Sequence, residues 1–239
     1  MIENLLKKLR RRDDISAEEE QTVRNLVSHT VRVAADKVVI RAGELLKESL
    51  IVLDGWAARA KDLPSGQRQF AEIHLPGDFT DLHSFTLKRL DHDIVSITPC
   101  VLAVVPHERL KKVTERFPHL TRVFWFSTNL DAAIHREWAL SLGRRSAIAR
   151  MAHLFCELLL RLEVIGMTNG HSYDFPLTQA ELGESLGLTS VHVNRTLQEL
   201  RRMALIEVEN RRVTILDLDA LKGVAEFDPT YLYLEKRTR

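Results

Sequence analysis

The sequence predicts an α+β fold: an N-terminal antiparallel β-roll of jelly-roll type, a long helix, and a C-terminal winged helix-turn-helix. Three observations predict it. Short β-rich runs separated by turn signals fill residues 31–105. A helical pattern that is apolar on more than one face follows Pro118. Two short capped helices joined by a glycine turn then precede the alternating stretch "LIEVENRRVTIL".

Composition sets outer bounds. The chain has 239 residues, 45% apolar and 28% charged, which is ordinary for a globular protein and enough for one large domain or two smaller ones. The net charge is +1, so any nucleic-acid surface must be local. The two cysteines, Cys100 and Cys156, have neither CxxC nor Cys/His ligand spacing. That argues against a disulfide framework or structural zinc and fits a reducing cytoplasm. The start, "MIENLLKKLRRRDD", carries acids and lacks a signal-peptide apolar run. No stretch approaches membrane-spanning length, so no membrane partner is expected.

The elements follow in order. Residues 1–30 read as short amphipathic helices, with Leu5, Leu6 and Leu9 on one face and a capping box from Ser16 to Glu19. The β-rich runs "VRVAADKVVI", "LIVLDGWAARA", "FAEIHLPGDF" and "DIVSITPCVLAVV" come next, with a hairpin tip at "LPSGQ" and a corner at "PGD". Pro106 opens a helical stretch. Pro118 suits the first turn of a longer helix reaching about Leu142. In that helix Val123, Leu130 and Ile134 form one stripe, with Ser127 between them, while Phe124 and Trp125 point elsewhere. Two apolar faces need two partners, and an identical helix in a homodimer is the simplest second one. Gly143 reads as a break. The segmentation expected is a β-roll sensor over 1–117, a dimerisation helix over 118–142 and a winged helix-turn-helix over 143–239. A helix with the stripe Ile148, Met151, Leu154, Phe155, Leu158 and Leu159 opens the last part.

Residues 176–216 carry the chemistry. Thr178 and Glu181 form a T-x-x-E capping box, Gly187 supplies the turn, and Thr189 caps the next helix. At 100° per residue, Ser190, Arg201, Asn194, Gln198, Val191, Arg202 and Arg195 collect on one arc of roughly 140°, with no acid among them. His192, Glu199 and Met203 flank it, and Val193, Leu197, Leu200 and Ala204 lie opposite. Asn, Gln and Arg can bond base edges bidentately, and a small apolar residue can meet a thymine methyl. A helix fits the major groove N-terminus first, which favours Ser190, Val191, Asn194 and Arg195 as readers, with His192 beside them. "ENRR" tips a β-hairpin wing that presents Arg211 and Arg212. From Thr178 to Arg212 five Arg balance five Glu, so placement rather than bulk charge must carry binding, and non-specific affinity should be modest.

With those residues in view, the whole chain resembles the Crp/Fnr family of bacterial transcription regulators. The resemblance rests on the roll with "PGDF", the long helix, and "LTQAELGESLGLTSVHVNRTLQELRRMALI". It implies a homodimer reading a two-fold symmetric operator in double-stranded DNA, a sensor domain that adjusts the pose of the reading heads, and RNA polymerase as a further partner. It also implies that Arg195 contacts a guanine and that Thr178 and Thr189 contact phosphates. Two departures stand out. Where the family commonly places a glutamate four residues before that arginine, this chain has Val191, so the base preference there changes. Where members that bind cyclic AMP carry Gly-Glu and then Arg-Ser, this chain has Thr80, Asp81, Leu82 and His83 and then "LDHD" near 90–93, with Arg89 out of pattern.

Asp81, Leu82, His83 and Arg89 are the candidate effector pocket. The acids argue against cyclic AMP. The lack of cysteine before Cys100 argues against an iron–sulfur cluster. Haem or a metal is left open by His74, His83 and His92, which would make the chain a gas- or redox-sensing member. A β-barrel metal enzyme is the alternative from another class, but no His-x-His pair, G-x-S-x-G, P-loop or H-E-x-x-H appears, and no catalytic residue is expected. A protein-binding module that has lost DNA contact would not need Asn194, Arg195 and Arg201 on one arc. The signal, the target genes and the sign of regulation have no motif.

Overall fold

The amphipathic spacing of the first thirty residues is realised as two helices, α1 (Glu3–Arg12) and α2 (Ala17–Arg24), the second opened by the Ser16–Glu19 capping box. The β-rich runs become β1 (His29–Val33), β2 (Lys37–Ile40), β3 (Glu48–Asp54), β4 (Ala57–Asp62) and β5 (Arg68–His74). After one helical turn, α3 (Ser84–Leu87), come β6 (Asp93–Ser96) and β7 (Cys100–Pro106). Helices α4 (His107–Arg116), α5 (Pro118–Arg144) and α6 (Ala147–Ile165) follow. The C-terminal part holds β8 (Ser172–Asp174), α7 (Gln179–Leu186), α8 (Ser190–Arg202), β9 (Ile206–Glu209), β10 (Arg212–Ile215) and α9 (Leu218–Ala225), then a 3-10 turn at Pro229–Leu232. This computed structural model describes residues 2–238.

By their contacts the residues fall into two units. One takes the chain up to Lys61, Glu72–Ala133 and the residues from Tyr233 on; the other takes Asp62–Ala71 and Ile134–Leu232. Among the described residues no helix is long and apolar enough to cross a membrane.

The first unit is a roll of two antiparallel sheets, ordered β1-β7-β3 and β2-β6-β4-β5. Period-two alternation makes the first sheet a middle layer. Leu50, Val52, Leu102 and Val104 point into the roll against Ile40, Ala57 and Ile94. Ile51, Ala103 and Val105, which alternate with them in sequence, point out onto Leu5, Leu6, Val23, Leu110 and Leu120. The "PGD" corner also anchors α1, through an ion pair of 2.5 Å between Lys8 and Asp78.

The roll encloses charge. Arg59 donates to Glu72 and Asp131, both at 2.8 Å, and to the Thr80 carbonyl at 3.0 Å. Asp81 is fully buried and accepts from the Leu50 N–H at 2.7 Å and from the Thr80 and Ser84 hydroxyls at 3.0 Å. Burial pushes its carboxyl up to about 6 even so, because those donors only partly replace water.

Two expectations about α5 are corrected. Gly143 does not end it; the helix runs on to Arg144, and the chain turns at Ser146, whose hydroxyl accepts the Ala149 N–H and opens α6. One mid-helix glycine costs only about 1 kcal/mol, less than giving up the last turn's hydrogen bonds. The stripe Val123–Ser127–Leu130–Ile134 is not wholly free for a partner. Val123 is 2% exposed and belongs to the first unit's core with Phe124, and Ile134 is buried as well. Ser127 and Leu130 remain half-exposed, and Trp125 is 67% exposed.

In the second unit α6 buries Met151, Leu154, Phe155, Leu158 and Leu159, the expected stripe, while Ile148 stays half-buried. Its polar side is buried too. Glu157 is fully covered and accepts from Trp138 Nε1 at 3.1 Å, Arg161 Nη1 at 3.0 Å and the Tyr231 hydroxyl at 2.7 Å. His153 lies against the rings of Phe227 and Tyr231. The segment after α9 is therefore part of this core as far as Leu232. Burial, helped by the charge of Arg145, pushes His153 down to about 3.

These two groups pull acid stability in opposite directions. Asp81 titrates near 6 in the fold and near 3.9 unfolded, so its contribution is full at low pH and is lost as pH rises through about 6. His153 titrates near 3 folded and 6.5 unfolded, so its contribution is present above 6.5 and is lost as pH falls toward 3. At about 1.4 kcal/mol per pKa unit each is worth on the order of 3 kcal/mol between pH 6.5 and 4. In urea unfolding across that range, His153→Gln should lessen the loss of stability on acidification and Asp81→Asn should enlarge it. Curves parallel to wild type would show that neither buried group carries the linkage.

Candidate nucleic-acid interface

The helix pair α7 and α8 is set by local chemistry. The Thr178 hydroxyl accepts the Glu181 N–H at 3.2 Å, and the Glu181 carboxylate accepts the Thr178 N–H at 2.7 Å. This closed box starts α7. Gly187 ends it in a left-handed conformation, φ 63°. Thr189 opens α8 by accepting the His192 N–H at 3.3 Å. The helices cross closely at Gly183, where a Cβ would stand 2.5 Å from the Leu188 carbonyl oxygen, so only glycine fits. Arg150, from α6, donates to the Leu186 carbonyl at 2.8 Å and satisfies one of the orphan carbonyls at the end of α7. Nothing in the sequence marked Arg150, because the contact joins residues 36 apart.

The angular reading of α8 matches its burial except at Ala204, which the reading places on the apolar side but which lies past the end of the helix, exposed and with φ 55°. Val193, Thr196, Leu197 and Leu200 are buried, and Ser190, Val191, His192, Asn194, Arg195 and Gln198 are exposed. Val191 is 79% exposed, an apolar side chain held in solvent at the N-terminal turn. Thr178 and Thr189 are exposed although their hydroxyls serve as caps. Arg202 is exposed as well. Arg201 departs from the expectation. It is half-buried, and its Nη2 donates to the Val208 carbonyl at 2.5 Å. Its assignment as a reader is corrected on that ground, since the guanidinium is already engaged by the hairpin.

That hairpin is the wing. β9 and β10 pair with Glu209 opposite Arg212, leaving a two-residue turn at Asn210 and Arg211. Both turn residues have positive φ, 50° and 58°, the left-handed pair that a tight hairpin of matching twist requires. Arg211 is exposed at the tip, and its carbonyl accepts the Phe175 N–H at 2.7 Å. Arg212 instead pairs with Asp174 at 2.6 Å. The sequence presented these two arginines alike; the register separates them.

The candidate effector residues do not converge. Asp81 is used inside the roll, and Leu82 belongs to the apolar core. The His83 ring stands 5.5 Å from that of His92, and Arg89 donates to the Gly43 carbonyl. The expectation of a pocket built from these four is corrected: burial sends Asp81 and Leu82 inward, a distant backbone carbonyl takes Arg89, and the His83 ring lies beside that of His92. The roll's charged groups have partners of their own. Arg59 is committed to two carboxylates and a carbonyl, and Asp91 is paired with Lys61 and His92. Among the described residues no three or more His, Cys, Asp or Glu side chains are grouped to hold a metal.

Residues 30–117 match the family model of the cyclic nucleotide-binding domain, and residues 149–224 match that of the Crp-like helix-turn-helix domain. The transcriptional activator protein FnrL of Cereibacter sphaeroides is 28% identical over 187 residues, 76% of this chain and 74% of its own. A probable transcriptional activator of Rhizobium leguminosarum bv. viciae is 29% identical over 205 residues, 84% of this chain and 83% of its own. The structure of FixK2 from Bradyrhizobium japonicum superposes with a TM-score of 0.76 at 22% identity, over 83% of this chain and 98% of that one, and so shares the fold. With a roll of the cyclic nucleotide-binding type, a Crp-like helix-turn-helix and transcriptional activators as relatives over most of its length, the chain belongs to the Crp/Fnr family of DNA-binding transcription regulators and is not an enzyme.

Proposed function

We propose that the protein acts as a homodimer on a two-fold symmetric operator, placing α8 of each protomer in successive major grooves. The observation that carries this reading is the bare arc of α8. Asn194, Arg195 and Gln198 lie exposed on it with donors and acceptors of base-edge type, and Ser190 and Val191 lead from the N-terminal turn. Thr178, Thr189 and Arg211 suit phosphate oxygens, and Val191 suits a thymine methyl at the place where related recognition helices commonly offer a glutamate. Residues 1–117 would sense, 118–142 dimerise and 143–239 read DNA. Leu130, half-exposed on the stripe, supplies apolar surface on α5 for a second copy. The charges enclosed by the roll support a regulator that answers to something other than cyclic AMP. Cytoplasmic action and contact with RNA polymerase accompany this role.

Each part has its own measurement. Arg195→Ala should cost on the order of 1–3 kcal/mol in operator affinity and relax discrimination at one base pair, read by titrating a palindromic duplex and its point variants in a salt series. Unchanged discrimination removes Arg195 from the readout. Leu130→Asp should split the dimer in sedimentation, because it would bury an unpaired charge. Retention of dimer mass would place the interface elsewhere.

A further inference from the structure

The register of the wing leaves the backbone of Val208 in need of partners outside the sheet. Residues flanking a two-residue hairpin turn form a hydrogen-bonded pair, here Glu209 and Arg212, so the next pair, Val208 and Val213, is not hydrogen-bonded. The N–H and C=O of Val208 therefore point away from β10. The sheet order is β8-β10-β9, so they point off a free edge. Arg201, in the last turn of α8, donates to that carbonyl at 2.5 Å. A charged donor on a carbonyl is among the stronger hydrogen bonds available to a side chain. From the other side, the Phe175 N–H holds the Arg211 carbonyl at 2.7 Å, and Asp174 holds Arg212. The wing is gripped on both flanks, and on the α8 side Arg201 is a side-chain grip that spans from helix to strand.

The geometry assigns Arg201 a positioning role: it ties the free edge of the wing to the recognition helix and so fixes Arg211 relative to the reading arc. This rests on the DNA-reading role of α8 and deepens it. In this role Arg201 acts through the wing rather than on a base. It sets the offset between the groove contacts of Asn194 and Arg195 and the contact made at the wing tip. A rigid offset matters because ordering a loose hairpin on binding would cost conformational entropy that a preset one does not.

A double-mutant cycle in the full-length protein tests this, using a duplex selected by the wild type from a random-sequence pool. Arg201→Ala and Arg211→Ala should each weaken binding, roughly tenfold for loss of a charge-assisted bond. The double variant should bind no more than about twofold worse than Arg201→Ala alone, because a misplaced wing no longer delivers Arg211. Without DNA, amide exchange in 206–215 should quicken in Arg201→Ala, with the amides of α7 and α8 unchanged. Additive losses, a loss of discrimination at one base pair on removing Arg201, or wing exchange at the wild-type rate would overturn the assignment. If the wild type selects no sequence from the pool, the DNA-reading role itself fails, and the exchange experiment still decides whether Arg201 holds the wing.

Discussion

Helix α8 has one apolar stripe, and everything about the reading surface follows from where that stripe goes. Val193, Leu197 and Leu200 are buried, each worth roughly 2 kcal/mol in removal from water. With that side committed, 3.6-residue periodicity leaves Ser190, Val191, Asn194, Arg195 and Gln198 no choice but to face outward. The caps at Thr178 and Thr189, the left-handed Gly187 and the bare Gly183 all hold α8 where the stripe can be buried. A side chain at Gly183 would collide with the Leu188 carbonyl, separate the helices and expose the stripe.

The two units hold buried charge in different ways. In the roll, Arg59 is shared among Glu72, Asp131 and the Thr80 carbonyl. In the second unit, Glu157 is saturated by Trp138, Arg161 and Tyr231. Each arrangement satisfies a charge that would be costly to leave unpaired. Each also uses residues far apart in the chain, so these networks specify one packing rather than add much net stability. The surface proposed to read DNA is different. Its polar groups are left solvated, as a surface awaiting an outside partner must be.

Arginine shows how far residue type alone can mislead. Arg195, Arg201, Arg211 and Arg212 look interchangeable on a helical wheel or at a hairpin tip. The fold gives them separate tasks. Arg195 is exposed, Arg201 bonds the wing, Arg211 stands at the turn and Arg212 is paired with Asp174. The difference lies in register and strand order. One residue of slip in the β9–β10 pairing would turn the Val208 carbonyl inward and leave Arg201 without its acceptor.

What the sequence determined by itself is whatever depends on neighbours within a turn or two. The capping boxes at Ser16 and Thr178, the Gly187 turn, the hairpin tip near "LPSGQ" and the faces of α8 were legible because capping and periodicity act over three or four residues. Tertiary structure alone decided the rest. It sent Asp81 and Leu82 inward instead of into a pocket, carried α5 past Gly143, buried Val123 in its own unit and packed Tyr231 onto Glu157. Each of these outcomes turns on which distant surface offers burial or a partner. A one-dimensional pattern records only that a residue needs one.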